Sequence, residues 1–591
     1  MPKPPKHQPS SSGQSDVALL AWLAACTSIF TFLFYFKNGE VLLYGDAVAH
    51  INIARRVFDS KTPGLLQLGT VWLPLPHLVM IPFLTSTRMW QSGAGGSIPS
   101  MIAYVFGVVG IFRLTRGALS GSNPPDGVAR TTGWIAAIIY GANPNLMYMQ
   151  STAMGEAVYL AFFVWAVAYL SEWVRGNPAA LIRCGLCLAG ASLTRYDGWF
   201  LAAVIAAVVV LRILLNRGAP KEIEMGGGEN KNVGAPRLAA FARRGKAKPN
   251  AKGNLRETTQ ASGSQQVVRF MLITAAAPAF WLAYNAIVYR NPLEFENGPY
   301  SAKAIELKTQ AAGNHGHPGT GNPLVAGLYF LKAGQENLAS NEWLQRGWVL
   351  LTVAAVLVPA ILSRREFWRP FAKAAWPLLF LLVPIPFYAL SIAYSGVPIF
   401  VPRWWPFSHY NVRYGLQLLP AFSATVAVLI GFGLRNERWD WRLRFAGIVA
   451  LLAFVLASYS RVWRAGPVCL QEAEINMRTR NQLEIQLSTW LERLPPDSTL
   501  LMYLGDHVGA VQRAGIPLNH TINEGNHRVW KQPGDPEGLW ERALANPGKY
   551  ADYGLAFEGD PVWNAVQNLR LNELVEVHVS GQARAVLYRL R

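Results

Sequence analysis

Long apolar runs separated by polar loops fill the first 460 residues of the chain, and then the pattern stops. A helix needs about 20 residues to cross about 30 Å of hydrocarbon. Runs of that order recur at 17–36, 98–112, 133–148, 157–173, 181–193, 200–215, 268–288, 348–362, 375–393, 416–434 and 445–459. They predict a polytopic α-helical membrane protein with about 11 transmembrane helices over residues 17–461. Past residue 470, STLLMYLGDHVGAVQRAGI reads as strand, turn and helix, and ADYGLAF and ARAVLYRL read as further strands. These predict a small α/β domain over 470–591.

Charge orders these segments. The 591 residues are 51% hydrophobic and carry a net +19, but Gln471 to Arg591 holds 15 acids against 12 bases. The positive charge therefore lies between the apolar runs, which excludes a nucleic-acid binder with a basic domain and marks cytoplasmic loops. With residues 1–16, Pro- and Ser-rich, as a disordered cytoplasmic N-terminus, every cytoplasmic loop is basic. The Gly-rich loop 217–266, with ten Lys or Arg and four acids, reads as a flexible cytoplasmic linker. An odd number of spans then places the C-terminal domain outside the cytoplasm. Cys184 and Cys187 form a CxxC inside an apolar run, where small buried residues explain them better than redox chemistry.

The polar residues that invite chemistry gather in the opposite loops. LYGDAVAHINIARR follows the first span and places Asp46 and His50 four residues apart, on one face of a helix along the membrane surface, with Arg55 and Arg56 at headgroup depth. An N-cap is the plain explanation for Asp46. Glu156 opens the fourth span, and Arg195, Tyr196 and Asp197 form a tight turn between the fifth and sixth, where an internal pair or cap is the plain reading. NPLEFENGPYSAK offers Glu294, Glu296, Tyr300 and Lys303, and His315 and His317 follow in a Gly-rich stretch without a metal-ligand pattern. Long polar loops of this kind often cover substrates. VPRWWPFSHYNVRYGLQLLP places Arg403, His409, Arg413 and Tyr414 before the tenth span. Arg403 fits interfacial snorkelling beside Trp404 and Trp405, whereas Arg413, at the start of the span, is the costlier charge and the better phosphate ligand. Gly505-Asp506-His507 reads as turn and cap residues, since no nucleotide-binding glycine pattern follows.

A first span, an exposed acid directly after it, a surface helix, an acid in the second outside loop, the Arg-Tyr pair of NVRYGLQLLP and a soluble C-terminal domain together resemble the GT-C glycosyltransferases. That superfamily holds the protein mannosyltransferases, the lipid A aminoarabinose transferases and the oligosaccharyltransferase catalytic subunits. The resemblance implies transfer of a sugar from a polyprenyl-phosphate-linked donor to a lipid, glycan or protein acceptor on the extracytoplasmic face of the bilayer. It implies Asp46 as the catalytic acid residue, and Arg413 with Tyr414 on the donor phosphate. His50, Glu156, Arg195, Asp197, Glu296 and His409 would contact substrate or acceptor. It leaves room for a divalent cation, Mg or Mn, on Asp46 and Glu156. The single acid in Gly45-Asp46-Ala47 departs from the adjacent Asp-Glu of the mannosyl and aminoarabinose enzymes, and no WWD-like motif follows in the C-terminal domain.

Two other classes compete. A multi-span transporter or lipid flippase would show internal repeats or helices broken at the midplane, whereas here the polar groups gather on one side and no repeat is found. A membrane-anchored scaffold would leave Asp46, Glu156 and Arg413 without a shared purpose.

Overall fold

The computed structural model describes residues 11–120, 126–218, 251–299, 301–311, 316–362, 375–436, 439–505, 507–526 and 537–591. Among them, eight helices are long and apolar enough to cross a membrane: Ser15–Lys37, Ala94–Ser120, Glu156–Val174, Asp197–Leu215, Ser264–Tyr289, Trp376–Tyr394, Val412–Arg435 and Trp441–Leu491. The chain is an integral membrane protein.

The other expected spans take shorter or offset forms. The run at 133–148 is divided at Pro144 into Asp126–Gly141 and Pro144–Gln150, because proline cannot donate to the preceding turn and Asn143 caps the second helix instead. The run at 181–193 is the 14-residue helix Ala179–Ser192. The run at 348–362 closes the helix Glu342–Leu362. The last apolar run bends at Gly466 and Pro467 and continues as Val468–Leu491, so the helix that opens the C-terminal region is also packed on the membrane part.

Both ends of the cytoplasmic reading also shift. The first helix, α1, runs over Ser11–Lys37, so residues 11–16 are helical rather than disordered, and Asp16 is bound by Arg130 at 2.7 Å. Residues 1–10 and 219–250 lie outside the described residues, whereas 251–266 belong to the helix Ala251–Tyr289 and not to a loop.

Lipid gives helices no hydrophobic reason to associate, so close packing through small residues does that work. Ala94–Ser120 lies between Asp126–Gly141 and Glu156–Val174, and at Gly110 a Cβ would stand 2.9 Å from Val164 Cγ1. The C-terminal region carries a five-stranded sheet of order β2-β1-β3-β5-β4, with β1 Leu500–Met502, β2 Thr521–Ile522, β3 Tyr553–Phe557, β4 Asn572–Val577 and β5 Ala585–Arg589. β1 pairs in parallel with β2 and β3, while β5 runs antiparallel to β3 and β4.

The sheet region is locked to the membrane part through α2, Gly45–Arg56. Asn52 donates to Gln512 at 2.7 Å, Gln512 donates to the Trp90 carbonyl at 2.7 Å, and the Trp90 indole donates back to Asn52 at 3.0 Å. α2 is therefore covered by the sheet region on one side and by the membrane part on another. Arg55 is buried against Asp59 at 2.7 Å and Arg56 faces Glu524 at 3.9 Å, so neither sits among headgroups as the sequence pattern implied.

Candidate active site

α2 begins at Gly45 with Tyr44 in the capping position, and no side chain caps it. Asp46 is thus not an N-cap; its carboxylate is free to leave the helix axis, and Arg413 Nη2 donates to its Oδ2 at 2.6 Å. Oδ1 of Asp46 makes no hydrogen bond among the described residues, and the side chain is 42% exposed.

Arg413 stands in the 3-10 turn Val412–Leu418, buried to 6% exposure. This turn lies flat against the helix Pro323–Glu336 because residue 415 is glycine: a Cβ there would run into the backbone of Ala333 and Gly334. The guanidinium spends its fork on three carboxylates from three elements: Asp46, Glu156 at 3.2 Å through Nε, and Glu472 through Nη1. Tyr44 and Tyr414 each lie with ring centroids 5.0 Å from its central carbon.

A second arginine extends the network. Arg195 donates to the same Glu156 oxygen at 3.1 Å, to Asp197 at 3.3 Å and to the Tyr388 hydroxyl at 3.0 Å, and it stacks on Tyr414 at 4.4 Å. Tyr388 donates to Asp197 at 3.1 Å, and Gln417 donates to both Asp197 and Tyr388. Both arginines are anchored through delocalised, planar contacts that a lysine cannot reproduce. Glu156 Oε2 and Asp197 Oδ1 are buried and make no hydrogen bond among the described residues.

Part of this network lines one cavity of about 1020 Å³. Asp46, His50, Glu156, Arg195, Asp197, Glu296, Arg413 and Tyr414 all face it, between aromatic walls that include Trp72, Tyr196 and Phe295. Phe295 stacks on Tyr196 at 4.8 Å, which seats the short helix Glu294–Asn297 against the cavity wall. His409 is set apart: its neighbours Ser408 and Tyr410 line the cavity, while its own carbonyl accepts from Asn476 at 3.0 Å. Arg403 is engaged elsewhere, with Glu336 at 3.5 Å and Glu342 at 3.8 Å. His317 lines the cavity and is held between Gly319 N–H and the Ile399 carbonyl, both at 2.9 Å. Tyr300, His315 and Asp506 lie outside the described residues.

Asp46 and Glu156 are bridged by Arg413. Each already gives an oxygen to the one guanidinium that links them, and no group of three or more His, Cys, Asp or Glu able to hold a metal occurs among the described residues. The structure also adds residues that the sequence did not single out. Tyr388 and Gln417 are polar positions inside apolar spans, a signal in itself. Glu472 sits just past the Gly466-Pro467 break, where an acid looks like the start of a soluble domain.

His50 adds a further pair. Its Nδ1 lies 2.8 Å from Nε2 of His77, and its ring packs on Trp72 at 4.7 Å. Burial holds both imidazoles below the usual histidine range, so both are neutral near pH 7.

The fold is that of an integral membrane protein and is shared with solved structures. The chain is similar to the crystal structure of ArnT from Cupriavidus metallidurans bound to undecaprenyl phosphate, at 14% identity over 98% of this chain and 99% of that one, with a TM-score of 0.50. The same protein in the apo state matches with 14% identity, the same coverage and a TM-score of 0.49. The archaeal oligosaccharyltransferase AglB from Archaeoglobus fulgidus, in complex with an inhibitory peptide and a dolichol-phosphate, matches at 11% identity over 93% of this chain and 70% of that one, with a TM-score of 0.42. No protein-family model and no curated protein sequence matches the chain.

Proposed function

We propose that this protein is a glycosyltransferase that moves a sugar from a polyprenyl-phosphate-linked donor to the hydroxyl of a lipid, glycan or protein acceptor. The observation that carries the reading is the half-exposed Asp46 carboxylate, fixed by Arg413 on the wall of a cavity of about 1020 Å³. The shared fold with ArnT, whose crystal structure holds undecaprenyl phosphate, supports a lipid-phosphate donor.

In the reaction the acceptor oxygen bonds to the anomeric carbon as the bond from that carbon to the phosphate oxygen breaks. The electron pair leaves with the polyprenyl phosphate, and the hydroxyl proton is released in the cavity. Asp46 Oδ1 accepts the hydroxyl's hydrogen bond and aims its lone pair at the sugar, a task that needs fixed orientation. Arg413 and Arg195 offset negative charge as it grows on the departing phosphate. The cavity faces away from the cytoplasm if the basic loops are cytoplasmic, as the positive-inside rule has it.

The test is transfer by the purified protein in lipid nanodiscs, supplied with a panel of polyprenyl-phosphate sugars and hydroxyl acceptors, with release of polyprenyl phosphate as the readout. Wild type is expected to release it in an acceptor-dependent manner. Absence of release across the panel, in protein shown to bind polyprenyl phosphate, overturns the enzyme reading.

A further inference from the structure

Residues 57–74, between α2 and the helix Leu75–Met80, contain one 3-10 turn, Leu65–Leu68, and are otherwise irregular. A segment with so little structure of its own takes its shape from what holds it. Its first part is held by the sheet region, around the turn that follows β2. The Asn519 N–H donates to Asp59 Oδ1 at 3.1 Å, Asn526 Nδ2 donates to the hydroxyls of Ser60 and Thr62, both at 3.2 Å, and Gln67 Nε2 donates to the Gly525 carbonyl at 2.7 Å. Both amides are oriented by their other contacts. The Asn523 N–H donates to Asn526 Oδ1 at 2.9 Å, which turns Nδ2 toward the segment. Gln67 Nε2 also donates to the Thr62 carbonyl at 2.8 Å, and two carbonyls require the donor end of the amide. Asn523 and Asn526 are 0% exposed, and the turn approaches closely because residue 525 is glycine: a Cβ there would stand 2.8 Å from Gln67 Oε1.

In open α/β sheets ligands bind beyond the carboxyl ends of the parallel strands. In this protein the end of β2 is bonded instead to residues 59–67 of the same chain. The second part of the segment is a wall of the cavity, lined by Val71, Trp72 and Leu73. Trp72 packs on His50 with ring centroids 4.7 Å apart, and His50 is one helical turn from Asp46. The Trp72 indole makes no hydrogen bond among the described residues, so the ring follows the backbone that carries it. We propose that the sheet region positions the transfer site: Asn526 and Gln67 hold residues 59–67, and through them set Trp72 beside Asp46 as the surface that receives the acceptor. Asn526 and Gln67 are positioning residues, and Trp72 touches the acceptor. This rests on the glycosyl-transfer reading above. The acceptor meets this wall because Asp46 takes its hydroxyl, whereas Arg413 and Arg195 face the donor phosphate. An indole offers it a broad apolar face and a free N–H donor.

The experiment uses the full chain in nanodiscs, with the donor and acceptor that wild type accepts, and compares Gln67→Leu, Asn526→Ala, Trp72→Ala and the double variant Gln67→Leu with Trp72→Ala. A small misplacement of a binding group costs up to about 100-fold, so kcat/KM for the acceptor is expected to fall about 10- to 100-fold in Trp72→Ala and about 10-fold in Gln67→Leu and Asn526→Ala. The loss is expected in KM for the acceptor, with KM for the donor unchanged. The double variant is expected to be no worse than Trp72→Ala alone, because the clamp acts through the ring; independent defects would multiply. Hydrogen exchange gives a readout that needs no turnover: in Gln67→Leu and Asn526→Ala the amides of residues 70–73 are expected to exchange faster together with those of 59–67, while Ala94–Ser120 keeps its wild-type protection. Gln67→Leu keeps the side chain's bulk and decides the matter if Asn526→Ala unfolds early. Absence of wild-type turnover overturns the transfer reading, and the exchange result then still decides whether the sheet region sets the cavity wall. Losses that multiply in the double variant, a wild-type KM for the acceptor in Gln67→Leu, or faster exchange confined to 59–67 overturns the inference.

Discussion

Nη2 of Arg413 lies 2.6 Å from Oδ2 of Asp46, joining the first turn of α2 to a 3-10 turn 367 residues later. The two ends of this bond have different surroundings. Asp46 is 42% exposed, whereas Arg413 is sealed beneath it against two further carboxylates that are 3% and 0% exposed.

This asymmetry predicts that Asp46→Asn separates activity from stability. The pair is open to solvent on one side, and such pairs contribute about 0–1 kcal/mol. The thermal unfolding midpoint is therefore expected to shift by only about 2–4 °C, while transfer falls by about 100-fold or more. Calorimetry and product assay on one preparation check it. A variant that unfolds early and keeps its turnover contradicts the assigned role.

Arg413→Met is expected to do the reverse first. Removing the guanidinium leaves Glu156 and Glu472 buried with their charge uncompensated or only partly so, a loss of about 3–5 kcal/mol. Glu472→Gln in the same background is expected to recover part of that loss, because it removes one stranded charge. Unfolding midpoints of the single and double variants measure the coupling. Additive effects would show that the pair does not act as one unit.

Most of the residues that the structure brings together here stand out in the sequence, for a definable reason. Asp46, Glu156, Arg195 and Arg413 are charges next to apolar runs, and a charge there is expensive enough to stand out. Glu472 was hidden because it follows a helix break, where an acid is ordinary. His77 sits alone in PLPHLVM, with no spacing partner; only folding brings it to His50. The span count was less legible because apolar length alone does not reveal a break such as that at Pro144. The burial of Arg55 and Arg56 was hidden for a related reason: this ending of α2 looks like headgroup contact, but the sheet region that covers it lies more than 400 residues away in sequence, as the Asn52–Gln512 separation of 460 shows.

The ring of Asn52, Gln512 and Trp90 predicts how that cover is held. Gln512→Ala removes an acceptor and a donor from buried partners, leaving the Trp90 carbonyl without its side-chain donor. An unmade buried hydrogen bond costs about 1–3 kcal/mol. Proteolysis of native protein is expected to cleave faster in the segment between the helix Val468–Leu491 and β1, with the membrane helices unaffected. Equal cleavage rates in variant and wild type would show that the contact does not hold the sheet region in place.

The sheet region carries two buried titratable groups whose effects on stability oppose one another. His507, stacked on Phe557 at 3.9 Å, is pushed down to about 4 by burial, with the Arg480 charge adding to it. The unfolded chain takes up this proton near pH 6.5 and the folded chain only near 4, so His507 makes stability fall as pH drops through that window. Asp560 is pushed up to about 6 by burial, against hydrogen bonds from backbone that include the one to Trp563 at 2.6 Å. Between about pH 6 and 3.8 the folded form keeps a proton that the unfolded chain has lost, so this group makes stability rise as pH drops. The two slopes offset each other, and the protection of β3 amides Tyr553–Phe557 against hydrogen exchange, corrected for intrinsic rates, is expected to be nearly flat from pH 6 to 4. Asp560→Asn keeps the cap on Trp563 and removes the buried charge. It is expected to raise protection at pH 7 and to expose the uncompensated fall from 6.5 to 4. His507→Gln is expected to show the opposite profile, with protection rising as pH falls. If Asp560→Asn follows the wild-type curve, the carboxyl is not buried as an unwelcome charge and the offset does not exist.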